Sequence, residues 1–191
     1  MTAAASRPLV LIYRIDAGGR ISRVNAAWTE FARDNGGEAL MPERVLGRDL
    51  LQAMTDSTVR ALYAQMIRQA RDGRAVRFRY RCDAPDRRRI FEMEIRAVGG
   101  GEVEFVSTLR HEEPRAPVGL LQGGQARDAR LLRVCSWCQQ VAVGEHTWLP
   151  VEAAAELMHL LEAETFPRLT HGICDACRAK WDQADGAGPV S

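Results

Sequence analysis

The sequence predicts an α+β fold: strands, then short helices, then strands again, followed by a small module built around four cysteines. Three observations carry this expectation. The hydrophobic period switches from two to 3.6 residues and back to two within about the first 110 positions. A Pro- and Gly-rich stretch then carries no sustained period. Beyond it, four of the five cysteines fall in two matched C-x2-C pairs.

The elements follow in order. "LVLIYRID" is a β-branched and aromatic run, "AGG" supplies a tight turn, and "RISRVN" alternates apolar and polar residues, which predicts a hairpin. Asn25 is placed to cap a helix over "AAWTEFARDNGG", where Ala27, Trp28, Phe31 and Ala32 share a face and two glycines end it. "VLGRDLLQAMTD" reads as a short helix. From Asp56 a longer helix runs to Gly73, with Val59, Leu62, Tyr63, Met66, Ile67 and Ala70 at helical spacing. The period then returns to two. Val76, Phe78, Tyr80 and Cys82 alternate with Arg77, Arg79 and Arg81; Phe91, Met93 and Ile95 alternate with Glu92, Glu94 and Arg96; and "GEVEFVSTLR" completes an antiparallel meander.

This pattern places an N-terminal domain at 8–112, a linker at 113–130, a cysteine module at 131–184 and a flexible tail at 185–191. Within the module, "QQVAVGEHTW" predicts a short hairpin turning at Gly144. "PVEAAAELMHLLEA" predicts a helix with Val151, Ala154, Met158 and Leu161 along one stripe, and the second cysteine pair opens a helix that runs to Trp181.

Composition excludes some functions. In 191 residues, 46% are hydrophobic and 27% charged, as in a globular protein, and the net charge of +1 argues against a chain built chiefly to grip nucleic acid or an anionic membrane. No apolar run approaches the roughly 18–20 residues of a membrane span, and the N-terminus lacks the pattern of a secretory signal, so a cytoplasmic location is expected. Nine arginines crowd the stretch from Arg68 to Arg89. For the row Arg77, Arg79 and Arg81, an anion or nucleic-acid patch is the alternative, but on a solvent-facing sheet the natural partners are Glu92 and Glu94 of the next strand, which makes a paired surface the expected outcome.

Cys135, Cys138, Cys174 and Cys177 are the candidate metal ligands. A tetrahedral zinc site needs four soft donors converging on one point, and each C-x2-C turn delivers two thiolates from one knuckle. Four cysteines leave no open position for water, which argues against hydrolytic catalysis. An iron–sulfur cluster uses the same ligand set and is the less favoured cofactor, and a dithiol redox switch is the remaining alternative. His171, three residues before Cys174, is assigned to support or turn duty in preference to ligation. No nucleophile and base arrangement for an enzyme is visible.

Residues beyond spacing point further. "YRIDAGGRISRVNAAWTEFARDNG", "VLGRDLL" and "RFRYRCDAPDRRRIFEMEI" resemble PAS sensory domains of bacterial signalling proteins, whose five-stranded antiparallel sheet carries helices on one face. "CSWC" with "THGICDAC" resembles a small cysteine module found beside PAS and other signalling domains, and its knuckle–hairpin–knuckle order is similar to a treble-clef zinc module with a helix inserted.

The resemblance implies a sensor that binds a small ligand or a protein partner. A homodimer through the PAS-like domain is one form of such partnership. Histidine-kinase, Walker A and cyclic-nucleotide enzyme motifs are missing from the sequence, so output would pass through a partner or through the cysteine module. A zinc-dependent nucleic-acid regulator is a further alternative, disfavoured by the acidic balance of the cysteine segment. Trp28, Phe31, Tyr63, Phe78, Tyr80 and Phe91 are candidates to line a ligand cavity, though aromatics at such spacings are more often core. No histidine precedes His111, which disfavours haem held by a core histidine. The PAS ligand is unknown from sequence.

Overall fold

The computed structural model describes residues 8–161 and 163–183. The expected tail at 185–191 lies outside them.

The first unit is an antiparallel five-stranded sheet with helices over one face. Strands β1 (Val10–Ile15) and β2 (Ile21–Val24) form the N-terminal hairpin, and β3 (Val76–Arg81), β4 (Arg87–Gly99) and β5 (Glu102–Pro114) form the meander. Their order across the sheet is β2-β1-β5-β4-β3, so the last strand of the meander pairs with the first strand of the chain. That insertion is what closes one core from two segments about 90 residues apart, with Tyr13 opposite Phe105.

Helix α1 (Ala26–Asp34) begins as the sequence predicts: the side chain of Asn25 accepts from Trp28 N at 2.9 Å, and also from Ile12 N of β1 at 3.1 Å. A four-residue α2 spans Pro42–Val45. Helix α3 (Ser57–Arg71) is capped by Asp56, which accepts from Val59 N at 2.9 Å, and it ends before Gly73 at φ +83°. Val59, Leu62, Met66, Ile67 and Ala70 form its buried stripe against β3, β4 and β5. Each such large side chain stabilises the unit by roughly 1.5–3 kcal/mol relative to exposure.

The short helix expected over "VLGRDLLQAMTD" does not form. Ile21 N donates to Arg48 O at 2.9 Å and Leu50 N to Gly19 O at 3.0 Å, so the backbone is drawn into bonds with the β1–β2 hairpin, while Gly47 at φ +79° turns the chain. Tertiary hydrogen bonds replaced the local helical ones.

The other face of the sheet is a lattice of ion pairs. Arg77 stands opposite Glu94 and Arg79 opposite Glu92, and both are paired across the strands. Glu104 lies between Arg14 and Arg96, each 2.7 Å away. The arginine row therefore finishes a solvent face, as expected.

The second unit is a four-stranded sheet, β8-β7-β6-β9, made of β6 (Arg127–Cys135), β7 (Val141–Ala142), β8 (Trp148–Leu149) and β9 (Phe166–Gly172). The hairpin at Gly144 and the final helix α5 (Asp175–Gln183) fall where the sequence puts them. Strands β6 and β9 run parallel, joined by a crossover that contains helix α4 (Val151–Leu157). Helix α4 is shorter than the apolar stripe implied. His159 takes φ +54° and Leu160 N returns to Ala155 O at 2.7 Å, a left-handed ending that buries Leu160 and leaves Leu161 71% exposed.

The stretch expected as a linker at 113–130 carries the end of β5, a 3-10 turn at Gly119–Leu121 and the start of β6. Val118 and Leu120 are buried with Phe166, and a Cβ at Gly119 would sit 2.9 Å from the Phe166 ring. Its polar composition hid two apolar anchors.

Candidate metal centre

Cys135 ends β6, and the chain reverses over Ser136, Trp137 and Cys138. Gln139 N donates to Cys135 O at 3.0 Å, Cys135 N to Gln140 O at 2.8 Å, and Gln139 adopts φ +59°, the left-handed conformation that tightens the knuckle. Parallel pairing sets Cys135 opposite Gly172 of β9, and Ser136 N donates to Gly172 O at 2.8 Å. Two residues further on, Cys174 precedes α5, and Cys177 lies in its first turn.

The result is convergence of all four cysteines. Their sulfur atoms lie within 4.8 Å of one another, and Cys138 Sγ is 3.7 Å from Cys174 Sγ. A tetrahedral zinc site with bonds of about 2.3 Å needs sulfurs about 3.8 Å apart. The four cysteines are thus close enough to hold a metal ion.

The surroundings suit thiolates. Cys174 N donates to Cys135 Sγ and Cys177 N to Cys174 Sγ, both at 3.4 Å. Hydrogen bonds from the Cys138 and Cys177 thiols hold the Cys135 pKa far down despite its burial, while the bond to Cys135 pushes Cys138 and Cys177 up. Unaided, the four sulfurs cannot all ionise at such spacing, and a bound divalent cation would supply the missing charge. Cys135 and Cys174 are buried; Cys138 and Cys177 are half-buried.

The cluster is seated on the first unit. Cys135, Trp137, Cys174 and Trp181 belong to the same buried cluster as Val59, Tyr13 and Phe78. Trp137 lies 6.3 Å from Tyr63, 5.9 Å from Phe78 and 6.2 Å from Trp181, and Arg81 N donates to Trp137 O at 2.8 Å. The C-x2-C spacing by itself does not reveal this contact of Trp137. An apolar residue between two ligands was the available signal.

A second seam is ionic and was also missed. The Asp83 carboxylate, fully buried, pairs with Arg81 and, at 3.2 Å, with Arg115; Arg115 also reaches Glu152 of α4 at 3.3 Å, and Arg88 bonds the same oxygen at 2.7 Å.

His171 stands outside the four-sulfur group, exposed on β9 and lining a cleft beside Ser136. His146 of the hairpin lies 3.2 Å from Asp175 at the second knuckle, an exposed pair. The six aromatic cavity candidates pack ring against ring: Phe31 on Phe91, Tyr63 on Phe105, Phe78 on Tyr80, Tyr80 on Phe91, and Trp28 against Tyr13. Cys82 lies just past the end of β3, not within it, where burial raises its pKa and keeps the thiol protonated.

The fold and the cluster define an α+β chain in which a five-stranded antiparallel sheet with helices on one face is joined to a four-cysteine centre. No family model matches the chain. An uncharacterized 104.1 kDa protein of Rhodobacter capsulatus, from the hypE 3′ region, is 36% identical over 122 residues, and the match covers 58% of this chain but only 13% of that protein. Among solved structures, a domain of an HTR-like protein from Haloarcula marismortui has 19% identity and a TM-score of 0.36, covering 53% of this chain and 98% of that one. The photoactive yellow protein domain of the sensor histidine kinase Ppr from Rhodospirillum centenum has 21% identity and the same TM-score of 0.36, over 52% and 90%. Among the described residues no helix is long and apolar enough to cross a membrane.

Proposed function

We propose that this chain is a cytoplasmic, non-catalytic signal-sensing protein in which a PAS-like unit senses a ligand or partner and a structural zinc site of Cys135, Cys138, Cys174 and Cys177 holds the output surface for a protein partner. The carrying observation is the convergence of four sulfurs within 4.8 Å on a knuckle whose tryptophan enters the core of the PAS-like unit. A closed four-thiolate site contributes folding energy, on the order of 10 kcal/mol or more in small zinc modules. Bound zinc would supply charge compensation and a fixed crosslink between β6 and the start of α5, and the chain's own amides would orient the sulfurs. The shared core gives such a crosslink a route to the sensory unit.

Elemental analysis and an absorption spectrum of the purified chain test this. One zinc per chain, no visible band and thiols that titrate only after a chelator is added are expected. Four freely titrating thiols without stoichiometric zinc or iron would overturn it, and a visible iron–sulfur spectrum would replace zinc.

A redox sensor is the second reading, favoured by the half-exposed sulfurs of Cys138 and Cys177. A peroxide would take two electrons from this pair, forming a disulfide and water and releasing the metal. Zinc retained through peroxide treatment counts against it.

A further inference from the structure

A cleft of about 260 Å³ lies between the start of α3 and the first cysteine knuckle, lined by Met54, Asp56, Val59 and Tyr63 from the PAS-like unit and by Ser136 and His171 from the cysteine unit. It borders the aromatic core through Tyr63, and none of the four sulfurs lines it. Gly172 permits its narrow base: a Cβ there would sit 2.9 Å from Cδ of Arg133 and 3.4 Å from Oδ2 of Asp56. The strand that carries His171 can therefore approach the α3 cap.

The lining chemistry is specific. The Tyr80 hydroxyl is bonded to Ser107 at 2.9 Å, whereas the Tyr63 hydroxyl and the His171 ring find no hydrogen-bond partner among the described residues. Burial pushes Tyr63 up to about 12, so it keeps its proton. Asp56 is the only formally charged side chain in the lining. Its Oδ1 accepts from Val59 N at 2.9 Å, and Oδ2 faces the β9 side. Of the nearby cations, Arg60 bonds the backbone carbonyl of Met54 at 2.8 Å and Arg133 lies 5.1 Å over the Trp148 ring; neither side chain lines the cleft. Met54, Val59 and the Tyr63 ring supply apolar surface.

We propose that this cleft binds a small neutral or singly cationic molecule with an apolar body and an N–H or O–H donor, and that it discriminates against anions. The volume lies below the usual range of drug-sized pockets, which limits the ligand to on the order of ten non-hydrogen atoms. Such a ligand touches both units, so its binding is linked to their docking. The proposal rests on the sensory reading above and gives it a site and a ligand class.

The test uses the full chain and three probes of one shape: benzylamine, benzyl alcohol and benzoate, followed by amide chemical shifts. Benzylamine and benzyl alcohol are expected to give saturable shifts centred on Asp56, Ser136 and His171, with Kd in the millimolar range for ligands this small. Benzoate is expected to bind at least tenfold more weakly. Asp56→Asn retains a good helix cap, so it should weaken benzylamine at least fivefold and benzyl alcohol by a clearly smaller factor. Ala53→Trp, at an exposed position on the rim, should abolish both. Absent saturable shifts, benzoate binding as tight as benzylamine, or full binding to Ala53→Trp would overturn the proposal. Metal content measured on the same samples separates the two failures: lost binding with full zinc bears on the cleft alone, and retained binding without zinc bears on the metal reading alone.

Discussion

The indole of Trp137, held between Cys135 and Cys138, lies 5.9 Å from the ring of Phe78 on β3, and Trp181 of α5 completes the triangle at 6.1 Å from Phe78. A residue of the candidate metal knuckle is thus a core residue of the five-stranded sheet. From spacing alone, loss of one cysteine should unfold the C-terminal module and spare the rest. The shared core changes that expectation, because the knuckle's collapse would uncover apolar surface on β3 and α3 as well.

Trp137→Ala is expected to cost about 3–5 kcal/mol in urea unfolding, the range for a large aromatic removed from a core. It should lower the stability of both units together. Trp137→Phe should cost less. The Trp137 indole N–H is buried without a hydrogen-bond partner among the described residues, and phenylalanine keeps ring contact while removing that unpaired donor. Separate transitions for the two units, with the first unshifted by Trp137→Ala, would show that the contact carries no coupling.

Asp83→Ala should destabilise the chain by roughly 3–5 kcal/mol, because it leaves the nearly buried guanidinium of Arg115 without its buried carboxylate. Glu94→Ala, which removes the exposed partner of Arg77, should cost less than about 1 kcal/mol. A double-mutant cycle of Asp83→Ala with Arg115→Met measures the coupling. Additive losses would mean that the pair does not hold the seam.

Glu104 gives a pH dependence with a definite sign. Burial raises its pKa, but hydrogen bonds from Arg96 and Arg14 outweigh that and the net shift is downward. A carboxyl lowered on folding contributes stability above the ordinary carboxylate range, and this is lost as pH falls through its folded value. Glu104→Gln should therefore be less stable than the parent near pH 7, with the deficit shrinking below about pH 4. A deficit that stayed constant across that range would assign the effect to packing.

Much was legible in the sequence because it was local. Asn25 and Asp56 announce their helices as caps, Gly73 ends α3, and the alternation of Val76, Phe78 and Tyr80 with arginines states which face is wet. The helix expected after Val45 was lost because its backbone bonds lie on the β1–β2 hairpin, about 30 residues away in the chain. Strand β9 went unread because its partner β6 is far upstream and runs parallel, and because Pro167 and Thr170 read as loop.

By itself the sequence determined the α+β order, the paired charges of the outer sheet face and the identity of the four cysteines, all of which follow from periodicity, turn chemistry and ligand spacing. Only the tertiary structure decided where those cysteines meet, that Trp137 and Trp181 are shared with the core of the first unit, and that Asp83 and Arg115 seal a second seam. Periodicity reports which face of an element is buried. What that face is buried against depends on pairings between distant segments, which no local pattern encodes.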